Sequence, residues 1–259
     1  MIARDPWQSF ARHTPARIAL GRTGASLPTE EVLRFSLAHA QARDAVHMPF
    51  DADTVEGEIQ ALGFKTLRVE SAAPARDIYL RRPDLGRRLS AASREKLAAR
   101  DAAPVDLAIV VADGLSAAAI HAQTAPFLAA FKPWIEKEGW SVAPVAVASQ
   151  ARVALGDEVG ALLKARALVV LVGERPGLSS PDSLGLYLTL GPKAGRSDAE
   201  RNCISNVRAE GLSHGLAAFK LAWHIRAALR LGLTGVGLKD ESDLLLVNGA
   251  PPAALPDLT

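Results

Sequence analysis

Six histidines, one cysteine and a few well-placed serines are the residues of this 259-residue chain whose types could make or break bonds. The histidines are His13, His39, His47, His121, His214 and His224. No two stand four residues apart, as on a metal-binding helix, and none adjoins a second ligand in sequence, so no metal site is expected. His39 or His224 could do acid–base work, or each could be a structural histidine on a mixed helix face. Ser116, Asp182 and His214 follow one another in the order of an α/β-hydrolase triad. However, Gly114-Leu115-Ser116-Ala117-Ala118 lacks the second glycine of a nucleophile elbow, and no HGGG-type oxyanion loop precedes it. Ser116 at the start of a helix is the simpler reading. Asp113-Gly114-Leu115-Ser116 also departs from a dinucleotide G-x-G-x-x-G, and a Walker A loop is missing. The single cysteine, Cys203, rules out an internal disulfide framework and a cysteine metal cluster.

Composition narrows the class further. Hydrophobic residues make up 49% and charged residues 22%, which is ordinary for a globular chain. A net charge of +2 selects no partner. The basic stretch Arg81-Arg82 and Arg87-Arg88 could be an anion patch, a solvated face or an inter-subunit contact. Acidic residues interleave with it and no aromatic platform lies nearby, so no nucleic acid is expected. No apolar run reaches the length of a membrane span. The start, Met1-Ile2-Ala3-Arg4-Asp5-Pro6, lacks the apolar core of a secretory signal. A cytosolic protein is the expectation.

The elements that must position any site fall in two parts. Residues 1–103 read as a mainly helical segment. One helix begins at Thr29, with Val32, Phe35, Leu37 and Ala38 at near-helical spacing and two glutamates in its first turn. Asp53-Thr54-Val55-Glu56 has the form of a capping box, for a helix ending at Gly63. A short strand is expected over Phe64 to Val69, and another helix from Ser90. Residues 104–259 read as a Rossmann-like domain of α/β class with a parallel sheet. Apolar runs at Asp106–Ala112, Val142–Ala148 and Ala167–Gly173 alternate with helices over Leu115–Phe131 and Glu158–Arg166. A further strand is expected at Leu186–Leu190. The capping box Ser197-Asp198-Ala199-Glu200 predicts a helix carrying Arg201 to Asn206. The last helix runs from Ser213 to Arg230, and the tail from Asn248, with Pro251, Pro252 and Pro256, is expected to fray.

Ligands of such sheets bind beyond the carboxyl ends of the strands. That brings three loops to one rim: Asp113 to Ser116, Ser149 to Val153, and Gly173 to Gly185. The last is long and rich in Gly, Ser and Pro, a costly segment to order and more often a site than a connector.

Several stretches resemble the light subunit of ethanolamine ammonia-lyase. They are A-R-I-A-L-G-R-T-G from Ala16, S-L-P-T-E-E from Ser26, L-A-H-A-Q-A-R-D-A-V from Leu37, R-R-P-D-L-G-R-R-L from Arg81 and V-A-D-G-L-S from Val111. The most specific are G-E-R-P-G-L-S-S-P-D-S-L-G from Gly173 and D-A-E-R-N-C-I-S-N-V-R from Asp198, and G-V-G-L-K-D from Gly235 completes the series. The likeness runs in order from about Ala16 to Asp240.

The resemblance implies a part in converting ethanolamine to acetaldehyde and ammonia with adenosylcobalamin as the radical source. It implies a heavy subunit that carries the substrate site, a hetero-oligomer of six heavy and six light chains, and cobalamin held between the two kinds of subunit. It also implies three cofactor-binding residues: Val153 as apolar surface, Glu174 as an acceptor for amides or a ribose hydroxyl, and Cys203 as a small side chain permitting close approach. The residues alone allow a helix-start residue, an ion-pair partner and a buried small hydrophobe for these three. Cobalamin proteins that displace the nucleotide base use D-x-H-x-x-G. Here Ala11, Leu37, Ala45, Ala119, Leu212 and Ala222 stand two before the histidines. The cofactor is therefore expected base-on, with its dimethylbenzimidazole on cobalt. Only about fifteen residues precede the first family motif, whereas shell-associated members carry a longer polar leader. A free cytoplasmic enzyme and one inside a bacterial microcompartment both remain open.

Overall fold

A strand with apolar side chains on both of its faces is stable only at the centre of a sheet covered on both sides. The run from Val105 meets that condition, and the rest of the molecule is arranged around it. The computed structural model describes residues 5–255; Met1 to Arg4 and Pro256 lie outside the described residues. The helices are α1 (Thr29–His47), α2 (Ala52–Ala61), α3 (Arg76–Arg81), α4 (Pro83–Gly86), α5 (Ala91–Ala98), α6 (Ala117–Glu138), α7 (Leu155–Leu162) and α8 (His214–Leu231). The strands are β1 (Thr66–Glu70), β2 (Val105–Ala112), β3 (Val145–Ser149), β4 (Ala165–Gly173), β5 (Leu184–Leu190) and β6 (Asn202–Val207).

They form one six-stranded sheet in the order β1-β3-β2-β4-β5-β6. Leu107, Ile109 and Val111 of β2 enter one core with α2, α6 and α8, while Ala108, Val110 and Ala112 enter the other with α5 and α7. This strict alternation follows from the two-residue period of a strand. Ser116 caps α6 by accepting from Ala119 N–H (3.2 Å), and Ser90 caps α5 in the same way from Ser93 N–H (3.1 Å). Ser213 caps α8, and Gly232 ends it in the left-handed conformation. No described helix is long and apolar enough to cross a membrane.

The α/β class expected from the sequence holds, but the sheet is mixed rather than parallel. β1, β3, β2 and β4 run parallel, whereas β5 pairs antiparallel with β4, and β6 with β5. The cause is the connection. Residues 174–183 contain no helix, and without a crossover the chain can only turn back, pairing Gly173 with Leu184. The sheet also takes its edge strand β1 from the first hundred residues.

Other expectations shift. Arg201 to Asn206 are not helical: the Ser197/Glu200 capping box forms, but it closes a single 3₁₀ turn at Asp198–Glu200. Arg201 then turns extended and the chain enters β6. The Asp53–Glu56 capping box does not form. Asp51 caps α2 through Thr54 N–H (3.0 Å), and Asp53 and Glu56 instead grip Arg68. β1 begins two residues later than expected, at Thr66, β5 two residues earlier, at Leu184, and α7 spans Leu155–Leu162 rather than Glu158 to Arg166. In the tail, Leu255 is buried and Lys137 Nζ donates to Ala253 O. α1 forms, yet Val32, Phe35 and Leu37 face outward and only Ala38 and Ala45 are buried. The basic stretch is a paired surface, with Arg81 on Asp77 (2.5 Å) and Arg82 and Arg88 on Asp84 (2.8 and 3.6 Å).

Candidate functional site

β3 and β4 flank β2 on opposite sides, so the connections leaving β2 and β3 diverge and open a crevice beyond their carboxyl ends. A cavity of about 470 Å³ lies there, lined by Gly114, Leu115, Arg152, Val153, Glu174 and Tyr187 among others. All three rim loops foreseen from the sequence contribute to it. Gly114 sits at φ +57°, and a Cβ there would lie 2.3 Å from Gly173 O. Only glycine lets the loop after β2 lie this close to the end of β4. The contact is fastened by Leu115 N–H donating to Gly173 O (2.9 Å).

Val153 and Glu174 both line this cavity. Val153 is half-buried in the turn that opens α7, and its carbonyl accepts from Gly156 N–H (3.0 Å). Glu174 is half-buried at the end of β4. Its Oε2 accepts from Ser183 Oγ and from Asn206 N–H (3.3 Å). Among the described residues no cation pairs with it, so the ion-pair alternative fails, and Oε1 has no protein donor. Cys203 lies outside the lining, on edge strand β6 opposite Tyr187, which does line the cavity. The cysteine is exposed rather than a buried small hydrophobe. Desolvation against the sheet raises its pKa, the Tyr187 hydrogen bond lowers it and the Glu174 charge raises it, and the net effect is upward. It is therefore a neutral thiol, not a nucleophilic thiolate.

Sequence reasoning placed Asp113 and Arg152 in the rim loops but missed Arg76 and Tyr79, the two α3 residues that join them. Arg76 and Arg152 both lie over the Tyr79 ring, 4.9 and 4.7 Å from its centroid. Arg76 also pairs with Asp113 (3.2 Å) and donates to Gly114 O (2.8 Å) and Val46 O (2.9 Å). Asp113 is buried at the end of β2, where it accepts from Ala151 N–H (2.9 Å). Burial pushes its carboxyl up to about 6, against the pull of the Ala151 N–H and Arg76. Arg76 and Tyr79 come from α3, far along the chain from the rim loops, and no local spacing signals that they join the site.

The hydrolase constellation does not assemble. Ser116 is fully buried and donates to Pro181 O (2.8 Å), while His214 bonds Gln123 (2.8 Å), which in turn donates to Asp182 (2.9 Å). None of the six histidines lines the cavity. His224 is buried on α8 against Lys220 O (2.8 Å), and burial lowers its pKa. His39 packs edge-on to Phe35.

With this geometry in view, comparison with known proteins is decisive at family level. Residues 4–239 match the family model described as ethanolamine ammonia-lyase light chain. An ethanolamine ammonia-lyase small subunit of Pseudomonas aeruginosa (strain LESB58) is 54% identical over 253 residues, covering 96% of this chain and 93% of the relative. Proteins of the same name from Pseudomonas fluorescens (strain ATCC BAA-477) and Xanthomonas campestris pv. campestris (strain ATCC 33913) are each 56% identical. Each covers 93% of this chain and 89% of the relative.

Proposed function

The chain belongs to the ethanolamine ammonia-lyase light-chain family, and from that premise we propose that it works as the small subunit of an adenosylcobalamin-dependent lyase. In this reading it acts with a heavy subunit, as a hetero-oligomer of six of each, to convert ethanolamine to acetaldehyde and ammonia. The enzyme is cytoplasmic or housed in a bacterial microcompartment. Residues 104–259 form the Rossmann-like unit that receives cobalamin, and residues 1–103 chiefly make subunit contacts.

One observation carries the reading. Glu174 is half-buried in a cavity at the sheet's carboxyl edge, and among the described residues one of its carboxylate oxygens has no donor. A partly desolvated acceptor is costly unless a ligand supplies the hydrogen, and cobalamin carries both amides and a ribose hydroxyl. The donor set therefore fits the cofactor. Val153 gives apolar surface beside it, and Cys203, opposite Tyr187 on β6, gives close approach at the edge. The intact cofactor is larger than this cavity, so the chain covers one part of it and the heavy subunit the rest. When bound, the cofactor supplies the radical that starts the reaction. This chain's residues bind and orient; none is assigned a catalytic step.

The experiment is reconstitution. Purified light chain with adenosylcobalamin is expected to release no acetaldehyde from ethanolamine, and adding the heavy subunit is expected to restore turnover. Turnover by the light chain alone would overturn the assignment.

A further inference from the structure

Arg152 is held in a manner that its neighbours do not explain. Its backbone is fixed, with N–H donating to Gly86 O (2.8 Å) and the carbonyl accepting from Leu155 N–H (3.0 Å) at the opening of α7. Its guanidinium stacks over Tyr79, a fully buried ring, and lines the cavity. Yet its Nε is shut off from solvent with no acceptor, and among the described residues no carboxylate pairs with it.

The nearby charges do not relieve it. Asp113 is taken by Arg76 and the Ala151 N–H. Glu174 lines the same cavity but directs its bonded oxygen to Ser183 and Asn206. The remaining charged residue of the lining, Arg175, is a further cation, exposed at the mouth. The two Nη groups have no protein acceptor among the described residues and, unlike Nε, are not closed off. The stacked, preorganised guanidinium therefore keeps free donors of the kind that recognise a planar or tetrahedral oxyanion.

We infer that Arg152 is the anion anchor of this cavity, and that it takes the phosphodiester of a nucleotide-like ligand arm. The inference rests on the cobalamin reading for the identity of that arm, since the cofactor's nucleotide tail carries one phosphodiester. It assigns the cavity to the tail rather than to the corrin ring. Arg152 is thus a specificity residue that distinguishes a tailed corrinoid from a tailless one, while Glu174 reads neutral donors.

The test compares two corrinoids on the assembled heavy–light complex by equilibrium ultrafiltration and absorbance. Cyanocobalamin has the nucleotide tail and dicyanocobinamide lacks it. Arg152→Met is expected to weaken cyanocobalamin binding by about tenfold or more and to leave cobinamide within about twofold, with Arg152→Lys recovering part of the loss. An equal loss on both ligands, or no loss on either, would overturn the inference. If the wild-type complex takes up neither corrinoid, it is the cobalamin reading that has failed. The anchor is then judged on the wild-type light chain alone, with nitrogen-15-labelled arginine and a ribonucleoside 3′-phosphate as probe. The same measurement serves if Arg152→Met does not fold. A saturable shift of the Arg152 Nε–H resonance supports the anchor, and an unmoved resonance refutes it.

Discussion

Arg201, at the entry to β6, and Asp157, on α7, form a two-pronged ion pair that is closed to solvent. Nη1 meets Oδ1 at 2.7 Å and Nη2 meets Oδ2 at 2.6 Å, with both side chains 1% exposed. Thr189 Oγ1 and Arg196 O accept the other two Nη hydrogens at 2.9 and 3.0 Å, and Asp198 Oδ1 accepts from Nε at 3.4 Å. The pair ties the helix that follows Val153 to the strand that carries Cys203, so it bears on how two of the proposed cofactor contacts stand relative to each other. Removing one partner would leave a buried, uncompensated charge. Arg201→Met is therefore expected to cost about 3–5 kcal/mol in urea unfolding, and Arg201→Met with Asp157→Leu to recover much of it. A double variant no more stable than the single one would contradict this role for the pair.

Asp113 sets a pH dependence of opposite sign to that of most carboxylates. Burial raises its folded-state value to about 6, above an ordinary 3.8. Between those limits the folded chain binds the extra proton, so this group's contribution to stability is lost as pH rises through the window. The difference corresponds to at most about 3 kcal/mol. Wild-type stability is expected to fall relative to Asp113→Asn between pH 4 and pH 7. Urea titrations of both proteins across that range check it, and parallel curves would show that Asp113 ionises freely.

These two groups also mark where the sequence was legible. β2, β4 and α8 could be read from local pattern, because apolar runs and a Ser213–Gly232 capped helix carry their own signals. β6 could not. A capping box is satisfied by a single turn. The path of the chain beyond that turn is decided by Arg201 reaching Asp157 and by pairing with β5, both remote in the chain. In the same way, the rim loops holding Val153 and Glu174 followed from strand order. The Arg76–Tyr79–Arg152 stack joins α3 to that rim, and only the folded chain brings its members together. The antiparallel turn after β4 was hidden for a different reason: strand direction depends on what the connection lacks.

The outward face of α1 tests the subunit-contact proposal. Leu33 and Leu37, one turn apart and so on one face of α1, are 64% and 59% exposed. An exposed apolar pair on one face marks an interaction surface more readily than isolated apolar residues do. Leu33→Glu with Leu37→Glu is expected to abolish co-purification of the heavy subunit. The melting temperature of the light chain alone should move little, because exposed positions contribute within about 0.5 kcal/mol. Undiminished co-purification would place the interface elsewhere.

The base-on expectation has a spectroscopic test. No histidine lines the cavity, and none follows an aspartate at the two-residue spacing of a cobalt-ligating motif. Electron spin resonance of cob(II)alamin bound to the complex is expected to show coupling to the dimethylbenzimidazole nitrogen. Labelling protein imidazole with nitrogen-15 should leave that splitting unchanged. An altered splitting would mean that a protein histidine occupies the lower position.

Glu174→Gln separates ligand recognition from loop bracing. The native carboxylate already accepts twice on Oε2, from Ser183 and Asn206, so its contribution to the cavity lies in Oε1. Glutamine keeps one acceptor oxygen but replaces the other with a donor amide. Either the loop contacts or the ligand donors then lose their partner, and the charge is lost in both cases. Placing the glutamine oxygen on Ser183 Oγ and Asn206 N–H keeps both loop contacts, and the amide then meets the cofactor's amide or hydroxyl with a donor in place of a charged acceptor. The expected result is cyanocobalamin affinity weaker by about 1.5–3 kcal/mol, with unchanged melting and heavy-subunit co-purification. Normal affinity with a lowered melting temperature would give the opposite assignment, leaving Glu174 as the brace that holds Ser183 and the Asn206 backbone together.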